Sequence, residues 1–333
     1  MGFSIFTIKQ KRLSKLAGLL CIFFILLSTT IGYAGALTSG EAPGAPGNPS
    51  WWAPTTNYFV GTANNSTSKV YFTGFQGIIG AVFWPTPDTP NTTDLQFMVG
   101  DAAHTWVDEE KVDTDHVVTL VDPRALIWKV TNTDKDGKYK IEKIIYTDPT
   151  RDSLIQEVTF TALTGTVGDY LVYVLYNPTI SNSGDNDTGQ TVVVNGKTYL
   201  QASDPNGRTS VLGTSIPFQS GMQSNGFVGV SDGWTDLKGG TAPDYTMNWT
   251  YDSATNGNVA QMALLDLGEP AATSVSFKVV LGFGATATDA QNATIGTLGS
   301  DFATLKSTYI QEWNTWCNSL DSLGGTADQQ YYV

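Results

Sequence analysis

A serine-hydrolase motif is the first candidate for chemistry in this sequence. Gly229-Val230-Ser231-Asp232-Gly233 fits the G-x-S-x-G pattern, in which the serine sits on a strand-to-helix turn and a histidine follows it in the chain. The two histidines, His104 and His116, both precede Ser231. No histidine follows Ser231, so the serine–acid–histidine order of this triad cannot form. The pattern therefore predicts an ordinary turn.

Carboxylates are the second candidate, because glycoside cleavage uses a pair of them. The run Asp108-Glu109-Glu110 supplies three. Neighbouring residues on a strand point to opposite faces, whereas an inverting pair must face one sugar across roughly 6.5–9.5 Å. We interpret the run as a solvated acidic loop and predict no catalytic residue in this chain.

Metal ligands are few. The loop from Asn132 to Gly137 begins like a calcium-binding loop, with oxygen ligands at positions one, three and five. Position twelve of such a loop requires a glutamate, and here it is Lys143. The sequence of the loop therefore predicts a hairpin turn. The loop 182–189 is dense in oxygen atoms and is the one candidate for an incidental Ca²⁺. Two histidines and two cysteines give no zinc or iron site, and no nucleotide fingerprint is present, so we expect no metal site and no other cofactor.

Aromatic side chains are the remaining chemistry. Exposed tryptophans can stack on the apolar faces of sugar rings, although most aromatics in a large β domain belong to the core. Several of the nine tryptophans lie in or beside loops. We predict a carbohydrate-binding site that includes Trp84, Trp234 and Asp236.

The elements that must position these residues are strands. Turn residues separate short runs of β-branched and aromatic residues, and no long helix intervenes before Gly284. This pattern predicts an all-β fold, a large antiparallel β-sandwich. The runs 170–176 and 275–283 are apolar enough to lie in mid-sheet. The predicted strands are 69–72, 77–84, 94–99, 116–120, 125–132, 139–147, 154–162, 170–176, 191–194, 197–202, 209–215, 259–265 and 274–282.

After Gly284 the apolar period becomes helical. Apolar and aromatic residues recur at three- and four-residue spacing, and Ser300 is the expected N-cap. We predict linker helices over 286–325. Such a stripe is either core of this domain or a surface for docking another domain. We assign domain docking to Tyr309, Trp313 and Trp316.

The N-terminus has the pattern of an export signal. Basic residues precede an apolar run of about 12 residues, too short to span a bilayer, and Ala34-Gly35-Ala36 offers a cleavage site. We predict a signal peptide over 1–36, a flexible leader over 37–50, and a secreted protein, extracellular or periplasmic, with no membrane attachment after cleavage. The mature chain then has 14 basic and 31 acidic residues, a net charge of −17, which disfavours nucleic acid as a partner.

A family resemblance rests on a series of short blocks in order through most of the mature chain, each weak alone and specific in combination. The sequence resembles the N-terminal domain of prokaryotic glucoamylases and glucodextranases (glycoside hydrolase family 15). The blocks are Ala45-Pro-Gly-Asn-Pro-Ser50, Ser68-Lys-Val-Tyr-Phe-Thr73, Asp88-Thr-Pro-Asn91, Asp94-Leu-Gln-Phe97, Val130-Thr-Asn-Thr-Asp-Lys-Asp-Gly137, Asn182-Ser-Gly184, Ser231-Asp-Gly-Trp234 and Asn256-Gly-Asn-Val-Ala260.

The resemblance implies a galactose-mutarotase-like supersandwich, here over 51–285, with a linker helix that leads to an (α/α)₆ catalytic barrel. The barrel holds the family's catalytic glutamates, and residues 326–333 would begin it. The implied partners are that barrel in cis and an α-glucan or maltooligosaccharide. One stretch departs from the family: Gly80-Ala-Val-Phe-Trp-Pro-Thr86 stands where relatives tend to read Thr-Glu-Val-Tyr-Tyr-Pro-Arg. The loss of an acid and a base weakens any polar role of that loop.

Three functions from different classes remain open at this stage. The favoured one is the non-catalytic N-terminal β-sandwich of a secreted glucoamylase-like exo-glucosidase, supporting the barrel and contacting α-glucan. The first alternative is a stand-alone secreted carbohydrate-binding protein. The second is a structural surface β-sandwich protein, which would leave the family blocks unexplained.

Overall fold

The computed structural model describes residues 39–50 and 57–320. The predicted signal peptide, the start of the leader, Trp51 and Trp52, and the predicted first residues of a barrel at 326–333 lie outside the described residues. Among those described, no helix is both long and apolar enough to cross a membrane.

Two antiparallel sheets form the domain, which confirms the predicted all-β sandwich. The first sheet has the order β1-β2-β3-β4-β10-β16-β14, with β5 paired to β4. Its strands are β1 (Phe59–Thr62), β2 (Tyr71–Phe75), β3 (Ile78–Phe83), β4 (Pro90–Asp101), β5 (Val107–Glu109), β10 (Tyr170–Pro178), β14 (Phe218–Phe227) and β16 (Val259–Leu265).

The second sheet has the order β15-β11-β12-β13-β17-β9-β8-β7-β6. Its strands are β6 (Thr114–Leu120), β7 (Trp128–Asp134), β8 (Tyr139–Thr147), β9 (Ser153–Ala162), β11 (Asp187–Val194), β12 (Lys197–Ser203), β13 (Thr209–Thr214), β15 (Ser253–Gly257) and β17 (Ser274–Gly284). All 13 predicted strands are present, and β10 and β17 lie in mid-sheet as predicted.

The main core lies between the sheets and follows the period of two. On β4, Leu95, Phe97 and Val99 point inward, while the alternate residues Asp94 and Gln96 lie on the outer face of the first sheet. Large apolar side chains from both sheets fill the interior. This alternation explains how one strand supplies both core and surface chemistry.

The β7–β8 hairpin is where predicted, but its turn type is different. A type I′ turn needs positive φ at both central residues. In the loop between the strands only Gly137 has positive φ (74°), and its N–H donates to the Asp134 carbonyl oxygen at 2.9 Å. The predicted hairpin turn is therefore present, but it is not of type I′, the type that Asp136-Gly137 favours.

Four α-helices occur in the described residues: α1 (Glu110–Asp113), α2 (Gly233–Lys238), α3 (Ala287–Leu298) and α4 (Phe302–Ser319). Helix α3 packs closely on β17, because a Cβ at Gly282 would lie 2.4 Å from Thr294 Oγ1. The N-cap of α4 is Asp301, whose carboxylate accepts from the N–H of Ala303 at 3.2 Å. The predicted cap, Ser300, instead donates its hydroxyl to Gly296.

Candidate functional site

A cleft of about 840 Å³ opens on the outer face of the first sheet. We call it the sheet cleft. Strands β2, β3, β4 and β10 provide its floor, and helix α1 adds one side. It combines amides and charged groups with aromatic rings, the mixture with which proteins hold polar ligands that have apolar faces. Its lining includes Thr73, Phe75, Phe83, Asp94, Lys111 and Asn177.

An ionic cluster stands at the side of the sheet cleft. Lys111 Nζ lies 3.2 Å from Asp94 Oδ2 and 3.0 Å from Glu109 Oε1. Gln96 Nε2 donates to Glu109 Oε1 at 2.9 Å. One lysine therefore pairs with two carboxylates, and the amide of Gln96 adds a neutral hydrogen bond to this cluster.

The two carboxylates of this cluster differ in pKa. Burial raises the pKa of Asp94, and the Lys111 charge offsets only part of that effect. Burial also acts to raise the pKa of Glu109, but the Lys111 charge and the hydrogen bonds to Glu109 outweigh it, so this pKa is lowered. The pKa of Lys111 is raised, because the two carboxylates outweigh the effect of burial.

Trp234 lies beside this cluster and outside the lining of the sheet cleft. It is on α2, whose N-cap Asp232 accepts from the N–H of Thr235. Its indole N–H donates to Glu109 Oε2 at 3.0 Å, and 37% of the residue is exposed. Trp234 is thus held by its nitrogen while part of the ring remains accessible.

Asp236, on the same helix, holds a neighbouring backbone segment by hydrogen bonds. Its Oδ2 accepts the backbone N–H groups of Asn248 and Trp249, both at 2.7 Å. Burial raises its pKa to about 6, with these two hydrogen bonds opposing the shift. The carboxylate thus fastens the segment that follows α2 and does not line the sheet cleft.

Trp84 lies in the core between the sheets. Only 7% of it is exposed, and its ring stacks on Phe283 with the centroids 6.3 Å apart. The prediction placed Trp84 in a sugar-binding loop, but the alternation of β3 and the Trp84-Pro85 turn direct it inward. Trp84 and Trp234 do not come together into one platform.

The acidic run Asp108-Glu109-Glu110 is not the solvated loop that we predicted. Glu109 and Glu110 are both buried. Glu110 turns into the sandwich, where its Oε1 lies 2.6 Å from Lys143 Nζ. Asp108 lies 3.5 Å from Lys138 Nζ, and burial raises its pKa to about 6. Asp108 and Glu109 lie on opposite faces of β5, and Glu110 begins α1, so the three carboxylates have three different partners and do not form an acid–base pair.

Ser231 has a structural role. The segment does join β14 to α2, as a nucleophile elbow would, but the residue is 2% exposed and its Oγ accepts the N–H of Phe227 at 3.0 Å. With both histidines upstream, this hydroxyl lacks a base from that motif.

A second candidate surface is the C-terminal half of α4. Tyr309 is fully buried, its hydroxyl 2.7 Å from the Thr62 carbonyl oxygen, and Trp313 donates its indole N–H to the same oxygen at 2.9 Å. Trp316 is 47% exposed, and its ring meets that of Trp313 edge-on. Of the three predicted docking residues, Tyr309 thus belongs to the core of this domain, and Trp316 is the one on the surface.

The sheet cleft itself was missed by sequence reasoning. Asn177 and Lys111 belong to no motif. They line the same cleft because β10 pairs with β4 and because Lys111, on α1, contacts Asp94 of β4. The one available signal was Asp94, a charged residue directly before the alternating apolar positions Leu95 and Phe97. That pattern indicates an outward-facing group without saying what it faces.

Comparison with known proteins gives consistent matches. The family described as glucodextranase, domain N, matches residues 42–318. The glucoamylase of Clostridium sp. (strain G0005) is 38% identical over 292 residues, which are 88% of this chain and 40% of that protein. A crystal structure of a bacterial glucoamylase complexed with acarbose matches with a TM-score of 0.78 at 35% identity, over 86% of this chain and 40% of that one. The chain therefore spans about 40% of the length of these relatives.

Proposed function

Since this chain belongs to the family of glucodextranase N domains, we propose that it is the non-catalytic β-sandwich of a secreted glucoamylase-like exo-glucosidase. In this role it supports an (α/α)₆ catalytic barrel in cis and contacts α-glucan. The observation that carries the proposal is the pair of matches to glucoamylases, in each of which the chain accounts for only 40% of the relative's length.

The carboxylates of the sheet cleft support a non-catalytic role. Inverting hydrolysis needs one carboxyl group free to protonate the leaving oxygen and another free to activate water. Asp94 and Glu109 both lie within 3.2 Å of Lys111, and Glu109 also accepts from Gln96 and Trp234. Groups engaged in this way hold the fold together rather than exchange protons with a substrate.

We assign barrel docking to the surface around Trp316. Asn65 Nδ2 donates to Glu312 Oε2 at 2.8 Å. This hydrogen bond joins the start of the sandwich to α4, so the helix contacts the sandwich as far as Glu312. Beside it lies a groove of about 480 Å³ that includes Asn64, Thr308 and Trp316. An exposed tryptophan at the edge of a groove is a common anchor for a neighbouring domain.

For α-glucan contact we propose the sheet cleft together with Trp234. The amides of Asn177 and Asn182 and the rings of Phe75 and Phe83 provide hydrogen-bonding and stacking groups without a net charge. Asn177 is only partly buried where it lines the cleft, so its side-chain amide can hydrogen-bond a sugar hydroxyl. A stand-alone carbohydrate-binding protein is the second candidate, since the cleft needs no barrel to exist.

Titration of the mature chain with maltotetraose, followed by tryptophan fluorescence and calorimetry, tests the sugar contact. We expect saturable quenching that Trp234→Phe reduces and that Asn177→Ala weakens in affinity by about tenfold. Trp316→Phe is the matched control, because it also changes an exposed tryptophan but lies on α4, and it should leave the titration unchanged. No response from the folded chain would remove sugar contact from the proposal and leave the support of the barrel.

A further inference from the structure

The turn that follows β10 contains buried oxygen atoms without donors. Asp187, the first residue of β11, is fully buried. Its Oδ2 accepts the N–H of Ile180 at 2.8 Å, whereas its Oδ1 is buried with no hydrogen-bond partner. The hydroxyl of Thr179, also fully buried, has no partner either. Buried polar atoms are nearly always paired, so two such oxygens in one turn require an explanation.

Further oxygen atoms converge on the same place. A Cβ built on Gly184 would lie 3.0 Å from Thr179 Oγ1 and 3.2 Å from Asn258 Oδ1. The side-chain nitrogen of Asn258 donates to the Asn48 carbonyl oxygen at 2.9 Å, so its Oδ1 is the atom turned toward Gly184. Strand pairing sets Asp187 opposite Gly257, directly before Asn258. Thr179 Oγ1 and Asn258 Oδ1 therefore both face Gly184, and Asp187 lies beside these two residues through its bond from Ile180 and its pairing with Gly257.

The charge around Asp187 is not compensated by protein groups. The nearest carboxylates are Asp185 and Asp204, and among the described residues none of these three forms an ion pair with lysine or arginine. The hydrogen bond that this carboxylate accepts comes from the neutral N–H of Ile180. Leaving such a carboxylate ionised without a partner would be costly.

We propose that Asp187 is the anionic ligand of a Ca²⁺ site that Thr179 Oγ1, Asn258 Oδ1 and water complete. Calcium takes six to eight oxygen ligands and accepts carboxylate, amide and water oxygens together. The sequence indicated the loop 182–189 for such an ion. The structure selects Asp187 within it, because Asp187 Oδ1 is buried without a partner, whereas Asp185 is exposed and its Oδ1 accepts from Ser50.

The proposed site has few charges and is therefore weak. No group of three or more His, Cys, Asp or Glu side chains among the described residues is arranged to hold a metal. A single buried carboxylate with neutral oxygens fits the Kd range of extracellular modules, about 10⁻⁴–10⁻³ M. The ion would tie the turn after β10 to the N-terminal segment, which already contacts it through Ser50 and Asn48.

Calcium titration of the EDTA-treated mature chain tests this site. We expect one site by calorimetry and a Tm that rises by a few degrees in 10 mM CaCl₂. Asp187→Asn should abolish both effects, and Thr179→Val should weaken the affinity while keeping the carboxylate. Asp266→Asn is the control, because it removes a carboxylate from an exposed position on another loop.

Absence of calcium binding by the folded wild-type chain at millimolar concentration, or unchanged binding by both variants, would overturn the proposal and leave Asp187 as a buried acid without a metal.

Discussion

The pair formed by Glu110 and Lys143 places two charges inside the sandwich. Both side chains are fully buried and 2.6 Å apart, and Glu110 Oε2 also accepts the N–H of Phe97 at 2.9 Å. Burial lowers the pKa of Lys143, and the Glu110 carboxylate opposes that shift. Such pairs contribute little net stability compared with apolar residues, yet the loss of one partner is costly. The pair therefore fixes where α1 enters between the sheets.

We predict that Lys143→Met lowers the free energy of unfolding by about 3–5 kcal/mol, because it leaves the Glu110 carboxylate buried without its cation. Adding Glu110→Gln to this variant should restore part of the loss. Lys140→Met, on the outer face of the same strand where Lys140 pairs with Glu142, should cost less than about 1 kcal/mol. Urea denaturation of the four proteins measures these values, and equal losses for Lys143→Met and Lys140→Met would contradict the role of the buried pair.

The sequence pattern indicated that Lys143 is buried, but it did not indicate that Glu109 and Glu110 are. On β8, Tyr139, Ile141 and Ile145 are inward apolar residues at a period of two, and Lys143 occupies the position between them. That spacing was a signal that the lysine is buried. The buried state of Glu109 and Glu110 had no such signal, because their partners Trp234 and Lys143 come from distant parts of the chain.

At the scale of elements, the strands rich in β-branched and aromatic residues were predictable, and the others were not. Strand β14 contains Gln, Ser, Gly, Met and Asn, and it is held by pairing with β16 across a bulge rather than by its own propensity. Strand β5 has only three residues. Tertiary pairing decides both, and a single sequence does not display it.

One part of helix α4 packs in the core of this domain and another part is accessible, and the apolar stripe in the sequence did not show where one ends and the other begins. Its N-terminal half belongs to this domain, because Leu305 and Tyr309 pack with Tyr146 and Ile155 in a small core on the outer face of the second sheet. The hydroxyl of Tyr309 also meets the carbonyl oxygens of Thr62 and Leu126. Toward the C-terminal end the stripe becomes accessible at Trp316.

We predict a large loss of stability from one substitution on this helix and a small loss from another. Tyr309→Ala should lower the free energy of unfolding by about 3–5 kcal/mol, since it empties a buried aromatic site. Trp316→Ala should cost less than about 1 kcal/mol and increase the solubility of the chain, since it removes an exposed ring. Thermal unfolding and solubility measurements give both values. A large loss of stability from Trp316→Ala would make that residue part of the core and remove it from the docking surface.

At the scale of the whole molecule, the described surface agrees with the proposed role beside another domain. The carboxylates beside its sheet cleft are paired with Lys111, and among the described residues the exposed tryptophans are Trp234, beside the ionic cluster, and Trp316, on α4. The net charge of −13 permits a neutral glucan but gives no attraction to it. In the proposed sugar contact, affinity would therefore come from stacking and hydrogen bonds, and we expect it to depend little on salt.

The last prediction concerns the length of the native protein. If the sandwich supports a catalytic barrel in cis, the secreted species should have more than twice the mass of this chain, since the chain covers only 40% of its glucoamylase relatives. Antibody detection in the culture medium, followed by intact mass spectrometry, measures it, and peptides from 57–320 identify the sandwich within the larger species. An independently prepared barrel that binds the mature chain but not Trp316→Ala would further support docking at α4. A secreted species that ends at Val333 would contradict a barrel in cis and favour a free carbohydrate-binding protein.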